Sequence, residues 1–269
     1  MPTIHPTALV DPAAQLADGV TVDPFSIIEG RVAIGRDTHI GPHVIIRDFT
    51  TIGSRCRIFQ FAVLGEVPQD LKFKGEETRL VIGDDNTIRE FATMHRGTAG
   101  GGGVTTVGRD NLFLAYTHVA HDCQVGNGVI MSNNATLGGH ITVGDHANLG
   151  GLSAVHQFCR IGRYAFVGGA SAVHRDVPPY AMVVGNRAKI VGLNLVGLKR
   201  AGFTDSSLHG LKRSFELLFL SDLKLKEAVD QVRQEFPENP EVQELLQFIE
   251  TSERGLLPAD VREHRLNRG

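Results

Sequence analysis

The sequence predicts a mainly β protein: a parallel β-helix of hexapeptide repeats, followed by a small α-helical C-terminal domain. Three observations carry this. An aliphatic residue returns every sixth position through two thirds of the chain. A glycine often follows it, as in "IGRDTH", "IGSRCR" and "VGDHAN". After "DVPPY" (176–180) the period of six stops, and from about residue 190 apolar residues recur at helical spacing.

The repeat runs from Ile4 through Val10, Leu16, Val22, Ile28, Ile34, Ile40, Ile46, Ile52 and Ile58 to Leu64 without a polar residue in the frame. It resumes at Ile82, Ile88 and Met94, slips by one residue, and continues from Val107 through Phe113, Val119, Val125, Met131, Leu137, Val143, Leu149, Val155, Ile161 and Val167 to Val173. A period of six fits neither a 3.6-residue helix nor a hairpin meander. Three hexads make one triangular coil of about 18 residues, with the aliphatics stacked inward. The fifth slot holds small or β-branched residues (Ala8, Ala14, Val20, Ser26, Val32, Thr38). Cys56, Cys123 and Cys159 also fall in that slot and read as packing residues. The second-slot glycines read as corners that need positive φ.

Two segments break the pattern. "GEVPQDLKFKGEETRLV" (65–81) keeps the frame by length but not by content, and "RGTAGGGGVTT" (96–106) adds the one-residue slip. Both read as loops leaving the coil, and loops on a rigid scaffold commonly carry function. "AGGGGV" lacks the Lys-Ser/Thr ending of a phosphate loop and reads as a flexible connection. In the C-terminal part, "TDSS" precedes a stripe of Leu208, Leu211, Phe215, Leu218 and Phe219. Val229, Val232 and Phe236 form a second stripe, and Pro240 opens a third. The division expected is residues 1–189 for the coil and 190–269 for the helices.

Net charge is −3, so no global field recruits nucleic acid. The first twenty residues lack the apolar core of a secretion signal, and no apolar run approaches the ~20 residues of a membrane span. A cytoplasmic protein without stable membrane insertion is expected.

Stacking by 18 places Gly139 above His121 and Gln157 above Gly139, with His140 and His156 beside that column. Three histidines thus gather on one edge, and Asp122 follows the first. A carboxylate beside an imidazole suits a general base, if corner geometry lets neighbours meet. A polar turn and a metal site of the kind γ-class carbonic anhydrases build on such a coil are the competing readings. "GLKR" (197–200) could contact phosphate or form a solvated helix face.

The motifs "FQFAVLGEVPQDLKFKGEETR" (59–79), "MHRGT" (94–98), "HVAHDCQVGN" (118–127), "NNATLGGHITV" (133–143), "VHQFCRIG" (155–162), "DVPPY" and "NLVGLKRAGF" (194–203) occur in one order along almost the whole chain. Together they resemble the UDP-N-acetylglucosamine 3-O-acyltransferase family of lipid A biosynthesis. The resemblance implies a left-handed coil, a homotrimer with sites between neighbouring chains, and no cofactor or metal. It implies transfer of an R-3-hydroxyacyl chain from acyl carrier protein to the sugar 3-hydroxyl; an N-acyltransferase acting on an amino-sugar nucleotide is the nearest alternative. In that family His121 matches the general base, Asp122 its partner, and Gly139 the N–H that steadies the oxyanion. His118, His140, His156 and Gln157 match substrate contacts, Asp70 and Lys72 hold the sugar and acyl groups, and Asn194 and Arg200 meet the nucleotide. Gly169 matches the position that limits acyl length, with glycine permitting longer chains. Val196 and Ala201 depart from the family pattern, standing where some members carry an acid and a second arginine.

Overall fold

A computed structural model describes residues 1–260; residues 261–269 of the expected C-terminal domain lie outside the described residues. Among the described residues, short strands form three sheets of eleven, nine and eight strands, and all but the last strand of the first sheet pair in parallel with strands one coil away. The register steps by 18 residues: Thr3 pairs with Thr21 and Ile4 with Val22. The two loops appear as longer steps. Arg57 pairs with Thr87, a step of 30, so the first loop inserts two whole hexads and preserves the frame. Thr87 pairs with Leu112, a step of 25, so the second inserts one hexad and one further residue.

Each hexad sends two side chains inward. First-slot aliphatics such as Ile40, Ile46, Leu64 and Ile88 are fully buried, as are fifth-slot residues such as Val20, Ser26 and Thr38. Cys56, Cys123 and Cys159 are buried free thiols in this second column. Burial pushes Cys123 up to about 12, which makes it a packing group rather than a nucleophile.

The expectation for the second-slot glycines is corrected. Positive φ falls instead on the fourth slot, at Asp37, Arg55, Asp85, Asp122, His140 and Tyr164 among others. The glycines answer a different demand. A Cβ on Gly35 would lie 2.6 Å from the Gly53 carbonyl carbon, and one on Gly144 2.6 Å from the Arg163 nitrogen. At these glycines, which follow strands of the third sheet, successive coils approach so closely that a Cβ would overlap the neighbouring backbone.

The triangular cross-section has three corners, and its decoration differs at each. Where the first sheet turns into the second, Phe25, His43, Phe61, Phe91 and Tyr116 stack ring upon ring, with centroids 4.7–5.1 Å apart. Where the second turns into the third, both loops leave the coil, and Asp122, His140 and Phe158 follow above them. Where the third returns to the first, His146, Tyr164 and Tyr180 form a shorter stack.

The coil does not pass directly into helix. "AMVV" and "KIVGL" pair antiparallel as Ala181–Val184 and Lys189–Leu193, a β-branched hairpin that caps the last coil. Four α-helices follow among the described residues: α1 (Leu195–Arg200), α2 (Asp205–Phe215), α3 (Leu225–Glu235) and α4 (Pro240–Glu250). Thr204 caps α2 through Ser207 N, and Asn239 caps α4 through Val242 N with Pro240 in the first turn. Their apolar stripes, including Leu208, Leu211, Val232 and Leu246, close a second core that takes in Tyr180 from the coil. The chain then returns, and Leu256 bridges to Asp176. No helix among the described residues is long and apolar enough to cross a membrane.

Candidate active site

The loop-bearing corner brings His121, Asp122, Gly139 and His140 together. Asp122 adopts φ +60, the left-handed corner conformation, so consecutive side chains that would diverge on a strand converge. His121 Nδ1 lies 2.8 Å from Asp122 Oδ2. The His140 N–H donates to the His121 carbonyl across the coils, and the two rings meet edge to face, with centroids 5.0 Å apart. His140 Nδ1 is 3.7 Å from the same carboxylate oxygen. Burial pulls the His140 imidazole below its ordinary value, opposed by the charge of Asp122.

Gly139 is buried beneath His121. A Cβ there would sit 2.5 Å from His121 Cε1, so only glycine lets the imidazole lie flat on the backbone. Its N–H has no hydrogen-bond partner among the described residues.

His118 lies on the second sheet below this corner, with Nδ1 2.7 Å from Thr93 Oγ1 and its ring edge-on to His95. Desolvation lowers its pKa to about 4, assisted by the neighbouring His95 and His121. Asp70 and Lys72 form a turn in the first loop, where Asp70 Oδ1 accepts from the Lys72 N–H at 2.9 Å. Both are near enough to act electrostatically on His140, Asp70 favouring its charged form and Lys72 opposing it.

The other candidates are distributed differently. His156 and Gln157 are exposed one coil above Gly139, but His156 Nδ1 is 2.9 Å from Arg254 Nη2 rather than in the His121 cluster. Gly169 is exposed on the aromatic corner, where an added Cβ would meet only the Gly151 carbonyl at 3.3 Å. Asn194 caps α1, accepting from Gly197 N and donating to the Tyr164 carbonyl on the third corner. Arg200 ends that helix, exposed and without an ion pair among the described residues. One chain therefore presents these groups on three different corners.

Sequence reasoning missed three groups. Thr98 donates its N–H to Asp122 Oδ1 at 2.8 Å and its hydroxyl to Oδ2 at 2.7 Å, and Thr105 Oγ1 accepts from the Asp122 N–H at 2.8 Å. Arg254 arrives from the end of the helical part. The "MHRGT" motif held Thr98 in view, but nothing in the period of six connects it to Asp122. One ligand atom each from His121, Asp122 and His140 lie within 4.8 Å of one another, a spacing that could admit a cation. Both Asp122 oxygens already accept hydrogen bonds, however, and the third histidine is turned to Arg254.

The profile of a family described as UDP-N-acetylglucosamine O-acyltransferase, domain 2, matches residues 176–257. Bacterial transferase hexapeptide repeats match 13–48 and 105–139. A protein of Thermodesulfovibrio yellowstonii named acyl-[acyl-carrier-protein]–UDP-N-acetylglucosamine O-acyltransferase is 50% identical over 95% of this chain and 99% of its own length. The chain belongs to this O-acyltransferase family. A crystal structure of the Moraxella catarrhalis UDP-N-acetylglucosamine O-acyltransferase superposes with a TM-score of 0.92 at 44% identity, over 94% of this chain and 99% of that one. The Francisella novicida UDP-N-acetylglucosamine acyltransferase gives 0.93 at 38% identity, over 97% and 98%. The coil is thus the left-handed parallel β-helix of the family, with its small helical region.

Proposed function

We infer that this chain moves an R-3-hydroxyacyl group from the thioester of acyl carrier protein to the 3-hydroxyl of UDP-N-acetylglucosamine, the first step of lipid A biosynthesis. Within that reading, residues 1–189 serve as scaffold and residues from 190 as the nucleotide-facing cap. The observation that carries the mechanism is the His121–Asp122 pair lying flat on Gly139.

A sugar hydroxyl is a weak acid and needs a base in line with the attack. Imidazole is the side chain whose ordinary titration lies nearest neutrality. With Nδ1 engaged by Asp122, His121 presents Nε2 to the 3-hydroxyl and takes its proton as the oxygen attacks the thioester carbon. The Gly139 N–H meets the oxygen that becomes negative, an interaction worth ~2.7–4 kcal/mol per donor in related chemistry. The tetrahedral intermediate collapses, the C–S bond breaks, and the proton on His121 passes to the departing thiolate. A thioester is already activated, so no covalent enzyme intermediate is required. Asp70, Lys72, His118, His140, His156 and Gln157 line the approach. Asn194 acts on the nucleotide side by orienting α1, and Arg200 faces the phosphates.

We further propose a homotrimer acting in the cytoplasm. His121, Gly169 and Asn194 occupy three different corners of one prism, and a single substrate reaches all three types of group only in a cleft between neighbouring chains. The mass in sedimentation should be that of three chains; a monomer at micromolar concentration contradicts this part. The reaction itself is tested by incubating the protein with UDP-N-acetylglucosamine and 3-hydroxyacyl carrier proteins of ten, twelve and fourteen carbons, with products identified by mass spectrometry. An ester labile to mild alkali is expected. An alkali-stable amide formed on a 3-amino sugar would reassign the acceptor, and product formation that requires added metal would overturn the metal-free mechanism.

A further inference from the structure

We infer that Thr98, held by the glycine loop 97–103, is a positioning residue for the acyl transfer: it clamps Asp122 so that the carboxylate fixes the orientation and tautomer of His121. The inference rests on the acyltransferase reading and adds to it a residue with no direct role at the substrate.

Asp122 is buried, with 1% of its side chain exposed, and it is reached from below by the loop that leaves the preceding coil. A carboxylate offers only acceptors. Two of its acceptor sites are filled by one residue, because the Thr98 N–H takes Oδ1 and the Thr98 hydroxyl takes Oδ2. This two-point grip leaves the carboxylate no freedom to rotate. The acceptor capacity left on Oδ2 points at His121 Nδ1, which must then carry the proton, leaving Nε2 bare to accept another.

The loop is shaped for this grip. A Cβ on Gly101 would lie 2.1 Å from the Asp122 carboxyl carbon, and one on Gly97 2.8 Å from Oδ1 and 2.3 Å from the Val104 nitrogen. Gly102 and Gly103 adopt φ of +96 and +80, conformations that L side chains rarely take. The Gly101 and Gly103 N–H groups both donate back to the Thr98 carbonyl, closing the loop on Thr98 itself. Gly97 and Gly101 therefore close on the buried carboxylate, while an added Cβ on Gly100, Gly102 or Gly103 would meet nothing within 4 Å, so those three shape the turn. The remaining titratable groups around the pair are His140, His118 and His95, none of which donates to Oδ1.

The test compares the wild type with Thr98→Val, Thr98→Ser and Gly101→Ala by two independent readouts. In the first, ¹⁵N-histidine NMR reports the His121 tautomer without any assay of turnover. The wild type and Thr98→Ser should show a protonated, hydrogen-bonded Nδ1, whereas Thr98→Val and Gly101→Ala should show mixed tautomers. In the second, kcat should fall by roughly 10–100-fold in Thr98→Val and Gly101→Ala, with KM for both substrates unchanged and Thr98→Ser close to wild type. Gly101→Ala lies in a surface loop and leaves the Thr98 donors intact, so it keeps the test open if Thr98→Val fails to fold. Wild-type His121 signals and kcat in a folded Thr98→Val or Gly101→Ala protein would overturn the clamp. If the wild type made no acylated sugar, the acyltransferase reading would fall while the tautomer measurement still judged the clamp.

Discussion

Two corners of the same prism share the left-handed backbone position, yet one fills it with a ladder of rings and the other sets a carboxylate, Asp122, beneath His140 and Phe158. On the aromatic corner, Phe25, His43, Phe61, Phe91 and Tyr116 lie nearly parallel, with interplanar angles of 2–22°. On the loop-bearing corner His140 and Phe158 still stack at 7°, but His121, one slot before Asp122, meets His140 at 88°. The strand spacing alone brings rings one coil apart into stacking range, so the ladder is the default outcome of the scaffold. What ends the ladder below His140 is a buried carboxylate in the ring position. Asp122 draws His121 Nδ1 to itself, and its burial depends on a loop that the ladder corner does not possess. The scaffold supplies spacing; the insertions supply chemistry.

That difference can be broken at several points. Among glycine substitutions, the largest effect expected is from Gly139→Ala. The added Cβ occupies the space of the His121 ring, and displacing a catalytic group by about 1 Å costs roughly 100-fold in rate. Steady-state kinetics with saturating substrates should show the loss in kcat, while circular dichroism retains the coil. Gly144→Ala makes a similar clash on the third sheet, against the Arg163 backbone, away from His121. It should lower stability by about 1–3 kcal/mol in chemical denaturation and leave kcat near wild type. Loss of both in both variants would mean that the corners are not independent.

Gly169→Met probes the aromatic corner where an acyl chain is proposed to run. Two methylenes that lose their burial are worth about 1.6 kcal/mol, roughly 15-fold. Preference should shift toward ten-carbon donors while their turnover survives; an equal fall for all three donors would make Gly169 structural only. A graded effect is expected from pH. His118 is lowered to about 4 in the folded protein against an ordinary value of 6.5. The unfolded chain therefore binds this proton first as pH falls, so stability decreases from pH 6.5 down to about pH 4 and this contribution levels off below it. Thermal midpoints across that window should show the slope, and His118→Asn should flatten it; an unchanged slope would assign it to other groups.

The repeat and the gathering of His121, Gly139 and His140 were legible because both follow from adding 18 to a residue number. The reason for the second-slot glycines was not, because sequence shows that a residue is small without showing whether φ or a neighbouring backbone requires it. Thr98 lies outside the period, so its grip on Asp122, 24 residues away, depends on how an irregular loop folds back. Arg254 reaches His156 across 98 residues for the same reason. The separation of Gly169 and Asn194 onto other corners was half legible. The 48 residues from His121 to Gly169 are two and two-thirds coils, and the remaining fraction is what moves Gly169 to a different edge.

The claim that chemistry resides at the loop-bearing corner alone is tested most directly by assaying His121→Ala and Phe25→Ala side by side, with a 3-hydroxyacyl carrier protein and UDP-N-acetylglucosamine. Phe25 ends the aromatic ladder, stacked on His43 and 56% exposed. Its loss should cost about 0.5–1.5 kcal/mol of stability and leave kcat at the wild-type value. His121→Ala should fold normally and lose 10²–10⁴-fold in kcat, about the usual worth of general acid–base catalysis. A folded His121→Ala protein with wild-type turnover, or an equal loss in both variants, would contradict the account.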